Sequence, residues 1–235
     1  MKLTLRSLVA TLFFAGMAVY AAPTDCGLGT PPVGGSITGL TFTCAGLTFS
    51  NFDQQNAGGP AGFPNITFAG ANYVVDATGI TVNVQFSPNI STTTALGLRD
   101  AHFFFTVSGA PITMVDLGIQ GFGATVGEFV CSQQYTVNAV CPGTNLASTS
   151  VKTLPGGSLT SISAPFAPDA SIGIYKDILV DPAATTDGQA SLTTLTQSFH
   201  FPGAGDVATP EPATFALIGG GLALLGLARR RQRSA

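Results

Sequence analysis

Acid–base chemistry within residues 22–208 would rest on two histidines, His102 and His200, ten aspartates and one glutamate, Glu128. A serine nucleophile needs a histidine base and an acid that orients it. The chain has no Gly-x-Ser-x-Gly elbow, the turn that presents such a serine in hydrolases. His102 runs into Phe103-Phe104-Phe105, and His200 stands between Phe199 and Phe201. Those are strand settings rather than cleft settings, so neither histidine is given a catalytic role. Glycosidases need two carboxylates facing each other across a sugar bond, and the scattered aspartates single out no pair. Asp177, Asp181 and Asp187 border a loop with the oxygen donors that Ca²⁺ takes. EF-hand spacing is missing, and these read as solvated turn aspartates. The expectation is a protein without catalytic residues, resident metal or cofactor.

Sugar recognition uses exposed aromatic platforms. The chain has no Trp, and beyond the first segment its only tyrosines are Tyr73, Tyr135 and Tyr175. A platform is therefore disfavoured, though a carbohydrate- or calcium-binding adhesin module stays as the alternative to an inert structural body. Cys26, Cys44, Cys131 and Cys141 are the four cysteines. An even number in an exported chain implies disulfides. Three pairings are open, and proximity favours Cys26 with Cys44 and Cys131 with Cys141. A four-cysteine metal site is disfavoured because no Cys-x-x-Cys spacing occurs.

The elements that would position these residues are strands. Charged residues make up 9% of the chain and apolar residues 45%, with 29 Gly and 17 Phe. That balance suits many short strands joined by turns rather than disorder. Strands are expected over 37–43, 47–52, 66–68, 72–76, 80–86, 96–107, 115–119, 123–130, 133–140, 158–163, 172–180 and 190–201. Residues 53–64 read as a loop and Ser108-Gly109-Ala110-Pro111 as a break. Val82, Val84 and Phe86 alternate with Thr81, Asn83 and Gln85, which sends one face to the core. The run at 103–107 reads as a central strand buried on both faces. The expected fold is an all-β antiparallel sandwich, with a jelly roll as a variant. Residues 22–208 carry three basic residues, Arg99, Lys152 and Lys176, against eleven acids, a net of −8. That charge excludes a nucleic-acid partner, which needs basic patches.

The two ends carry addresses. Lys2 and Arg6, an apolar run over 8–20 and small residues around Ala21 make residues 1–21 a secretory signal peptide. Its partners would be the Sec translocon and signal peptidase. Residues 209–235 begin with Thr209-Pro210-Glu211-Pro212, which cannot be helix interior. The apolar stretch 214–228 follows, about 22 Å long as a helix. That is short of the ~30 Å hydrocarbon core, a deficit that snorkelling arginines reduce. Arg229, Arg230, Arg231 and Arg233 set this end on the cytoplasmic side.

This order of Pro-Glu-Pro box, apolar span and arginine cluster resembles the PEP-CTERM sorting signal. The resemblance implies recognition by exosortase, cleavage near Pro210, Glu211 and Pro212, and a single transmembrane helix that anchors the chain transiently in the inner membrane. It implies delivery to the cell surface or extracellular matrix, in company with exopolysaccharide or biofilm. Thr209 departs from the pattern, where Val is commoner. Three segments are thus expected: signal peptide (1–21), β-sandwich body (22–208) and sorting signal (209–235).

Overall fold

The computed structural model describes residues 22–27, 33–58, 65–76, 78–153 and 160–203. The expected signal peptide and the sorting tail, with its Pro-Glu-Pro box, helix and arginines, lie outside the described residues. No helix among the described residues is long and apolar enough to cross a membrane.

Eleven strands and one 3₁₀ turn (Pro182–Ala184) make up the described chain. The strands are β1 (Thr24–Asp25), β2 (Phe42–Cys44), β3 (Leu47–Gly58), β4 (Thr67–Asp76), β5 (Gly79–Ser87) and β6 (Ile90–Thr93). They continue with β7 (Arg99–Phe122), β8 (Ala124–Cys131), β9 (Asn145–Lys152), β10 (Thr160–Val180) and β11 (Gln189–Phe201). All pairings are antiparallel. One layer runs β1-β4-β5-β11-β7-β10, and the other runs β2-β3-β7-β10-β8-β9. The two layers share β7 and β10, which pass from one to the other.

That passage explains the main departure from the sequence expectation. Ser108-Gly109-Ala110-Pro111 does not end a strand. β7 continues through it and changes partner on one edge, from β3 over Asp100–Ser108 to β11 over Met114–Phe122. β10 follows β7 on the opposite edge, with register shifts between Pro165 and Ser171. Gly109 sits at φ +123°, and a Cβ there would overlap the Gly46 carbonyl oxygen. Glycine and proline mark a corner between layers here rather than a stop.

Two further expectations are corrected. Asp53–Gly58 extends β3, because its backbone finds a ladder partner in Asp100–Phe104 of β7 despite polar side chains. Residues 133–140 form a loop and not a strand, with Val137 and Val140 exposed. The strand lies further on, at β9, where Asn, Ser and Thr dominate an edge that, among the described residues, β8 alone pairs. Val151 is buried and the polar residues lie at an edge that water reaches, which an edge strand tolerates.

The core between the layers is built from phenylalanine. Phe42, Phe49, Phe52, Phe68, Phe86, Phe103, Phe105 and Phe199 are all buried. Rings meet across the layers, with Phe86 4.9 Å from Phe103 and Phe49 5.3 Å from Phe199, both edge to face. Each buried Phe contributes about 1.5–3 kcal/mol by removal from water. Disulfides join Cys26 to Cys44 and Cys131 to Cys141, the pairs that proximity favours. The first ties the chain beside the β1–β4 edge to β2 of the other layer.

Candidate functional site

Strand alternation sends Phe103, Phe105, Ile174, Ile178 and Val130 into the core, so their neighbours face outward. Cross-strand register then aligns those neighbours in rows. Phe104 of β7, Tyr175 of β10 and Phe129 of β8 stand directly opposite one another. Their rings stack, with centroids 5.1 Å apart between Phe104 and Tyr175 and 5.4 Å between Tyr175 and Phe129. The next row holds His102, Asp177, Gly127 and Ser150. Glycine in that row leaves a gap. A groove of about 470 Å³ opens over Gly127, lined by Thr125, Phe129, Ser148, Ser150, Asp177 and Leu179.

The 131–141 loop covers one end of the aromatic row. Tyr135 packs on Tyr175 at 5.5 Å. The loop lies close because Gly173 has no side chain: a Cβ there would overlap the Gln133 carbonyl oxygen. Asn51, at the rim, donates to Gln134 of the loop at 3.1 Å. Phe104, Tyr135 and Tyr175 are consequently buried, whereas Phe129 remains 36% exposed beside the groove. Burial pushes the Tyr135 phenol up to about 12. Tyr175 is likewise pushed up to about 12, first by burial and then by Asp177, Asp100 and Tyr135.

His102 lies between two carboxylates, 4.0 Å from Asp100 and 3.8 Å from Asp177. One donor atom from each lies within 4.8 Å of the others, a spacing that could hold a cation. Burial raises the Asp100 carboxyl above its usual range, and the Asp177 charge adds to this while His102 opposes it. Asp181 and Asp187 do not join the group. Asp181 accepts from the Ala183 N–H at 2.9 Å and Asp187 from the Gln189 N–H at 3.2 Å, so both cap turns.

On the opposite face, His200 Nε2 lies 2.6 Å from Asp116 and Nδ1 lies 2.9 Å from the Thr81 hydroxyl. The order hydroxyl, imidazole, carboxylate is that of a nucleophile and its base. β11 pairs with β5 and β7 on both sides of His200, so its backbone groups are engaged in ladders and not turned toward an oxyanion. No sequence motif pointed to this trio, because its members come from three strands. The aromatic row was missed for the same reason: Phe104, Tyr175 and Phe129 share no local pattern.

No curated protein matches the chain. Among solved structures, it is similar to TmCBM61 in complex with β-1,4-galactotriose, at 11% identity and a TM-score of 0.32, covering 63% of this chain and 88% of that one. It is similar to the K3 adhesin domain of Lys-gingipain from Porphyromonas gingivalis, at 10% identity and a TM-score of 0.32, covering 77% and 98%. A CBM29-2 variant matches at 12% identity and a TM-score of 0.24, covering 81% and 99%. Residues 208–232 match the model of the PEP-CTERM protein-sorting motif, and the chain therefore carries a PEP-CTERM sorting motif.

Proposed function

We propose that the protein is a non-enzymatic cell-surface or matrix component whose body holds a neutral polysaccharide against the outer face of β8, β9 and β10. The groove over Gly127 carries this reading. It sets the exposed Phe129 ring beside the Asp177 carboxylate and the Ser148 and Ser150 hydroxyls. A sugar offers an apolar face to such a ring and hydroxyls to such acceptors and donors. The net charge of −8 over residues 22–208 and the carboxylates beside the groove favour neutral over acidic chains by simple repulsion. In this reading residues 1–21 are removed on export. Exosortase cuts near Pro210, Glu211 and Pro212, after the arginine cluster has set topology in the inner membrane.

Titration of the exported protein with neutral and acidic exopolysaccharides tests the binding. Saturable binding of a neutral chain, lost in Asp177→Asn and Phe129→Ala, supports it. Equal retention of the wild type and both variants would mean that the groove is not the site. Mass spectrometry of protein from cells with active exosortase tests processing, and an intact C-terminal tail counts against it.

A further inference from the structure

The sandwich core contains a polar trio that the proposed binding function does not use. Lys176 of β10, Glu128 of β8 and Gln197 of β11 have no exposed surface. The Lys176 ammonium nitrogen contacts Oε2 of Glu128 and Oε1 of Gln197. Gln197 in turn donates from Nε2 to Oε1 of Glu128 at 3.2 Å. Glu128 and Lys176 pair directly across β8 and β10, whereas Gln197 reaches in from the other layer. One carboxyl group therefore touches both the amine and the amide nitrogen, while the amine lies against the amide carbonyl.

We propose that Lys176 and Gln197 form an intramolecular amide bond, with Glu128 as the proton carrier. Burial holds the Lys176 ammonium below the ordinary lysine range, against the opposing pull of Glu128, and so favours the nucleophilic free amine. The ammonium proton passes to Glu128, leaving a neutral amine and a neutral carboxyl. Nζ attacks Cδ of Gln197 and a C–N bond forms. Glu128 gives its proton to the departing Nε2 group and takes one from Nζ. The old C–N bond breaks, and the departing ammonia takes the remaining proton from Glu128 and leaves as ammonium, so Glu128 ends as the carboxylate it began as. No oxidant, metal or second substrate enters the balance. The burial that makes the trio costly as an ion pair also excludes water that would compete for Cδ. The product ties β10 of one layer to β11 of the other, across a core that two disulfides already brace at its margins. A surface protein beyond the reach of cellular repair gains a covalent lock against unfolding and proteolysis.

Intact-mass measurement of the reduced protein expressed from the full chain is the test. The expected mass is lower than that of the processed sequence by one ammonia, and tandem spectra show a branched peptide linking Lys176 to Gln197. Glu128→Gln, which keeps both reacting groups, is expected to abolish the deficit, as is Lys176→Met. An unaltered wild-type mass overturns the proposal whether or not these variants fold. Loss of water instead, mapped to Lys176 and Glu128, also overturns it.

Discussion

Replacing Phe129 by Ala separates a ligand-bearing ring from a merely structural one. Phe129 is 36% exposed, so a bound sugar can remove only about a third of its surface from water. Complete burial of a Phe contributes about 1.5–3 kcal/mol, which leaves about 0.5–1 kcal/mol for the ligand. An oriented ring face adds about 0.5–1.5 kcal/mol. The sum, about 1–2.5 kcal/mol, corresponds to roughly 5- to 70-fold weaker binding. The same substitution forfeits the burial the ring already has, about 1–2 kcal/mol, and the stack on Tyr175 at 5.4 Å, about 0.5–1.5 kcal/mol, a loss of stability that leaves the fold intact. Affinity electrophoresis in gels containing the neutral polysaccharide reads the binding, and thermal unfolding reads the fold. His200→Ala on the opposite face serves as the control, with unchanged retention. Phe129→Ala protein that is folded and binds as tightly as the wild type would refute the reasoning.

Gly127→Leu fills the groove from its floor, where even a Cβ would lie 3.2 Å from the Phe129 ring; polysaccharide retention should vanish in gels while circular dichroism stays unchanged. Opening the Cys131–Cys141 bridge by Cys131→Ser with Cys141→Ser should lower stability by about 2–3 kcal/mol in denaturant titrations. It should also bring the Tyr135 and Tyr175 ionisations down from about 12 toward the ordinary phenol value, seen by ultraviolet absorbance. The sign follows from burial: a phenol raised in the fold contributes stability below its unfolded pKa, lost as pH climbs through about 12. Asp100 is also raised in the fold, so its contribution falls as pH rises past the carboxylate range. Asp100→Asn should therefore raise Tm at neutral pH and leave it unchanged in acid, by calorimetry. Compared with protein whose Lys176 and Gln197 are not yet joined, Lys176→Met leaves Glu128 buried without its cation, and equilibrium unfolding should show a loss of about 3–5 kcal/mol.

Local pattern was enough for the strand class and for the address. Val82, Val84 and Phe86 alternate and are buried, with Gln85 exposed, because a pleated strand has period two whatever its partners. The sorting motif was readable because its physics is sequential: a proline box, a short apolar span and arginines act in chain order. Corners were not legible. The Gly and Pro of residues 108–111 look alike in a turn and in a strand that changes layer. Only the ladder partners, β3 before and β11 after, separate the two.

The groups with chemistry lay further from reach. Glu128, Lys176 and Gln197 are separated by 48 and 21 residues, and Lys176 looks from sequence like any solvated lysine. Composition likewise gave no sign of the aromatic row that register assembles from Phe104, Tyr175 and Phe129, of which Phe129 alone stays exposed. Period, turn chemistry and tail order are local properties, and they were enough for a β-rich, disulfide-forming chain with a sorting tail. The tertiary structure alone decided which side chains meet, because strand register and layer packing join residues that no local spacing relates.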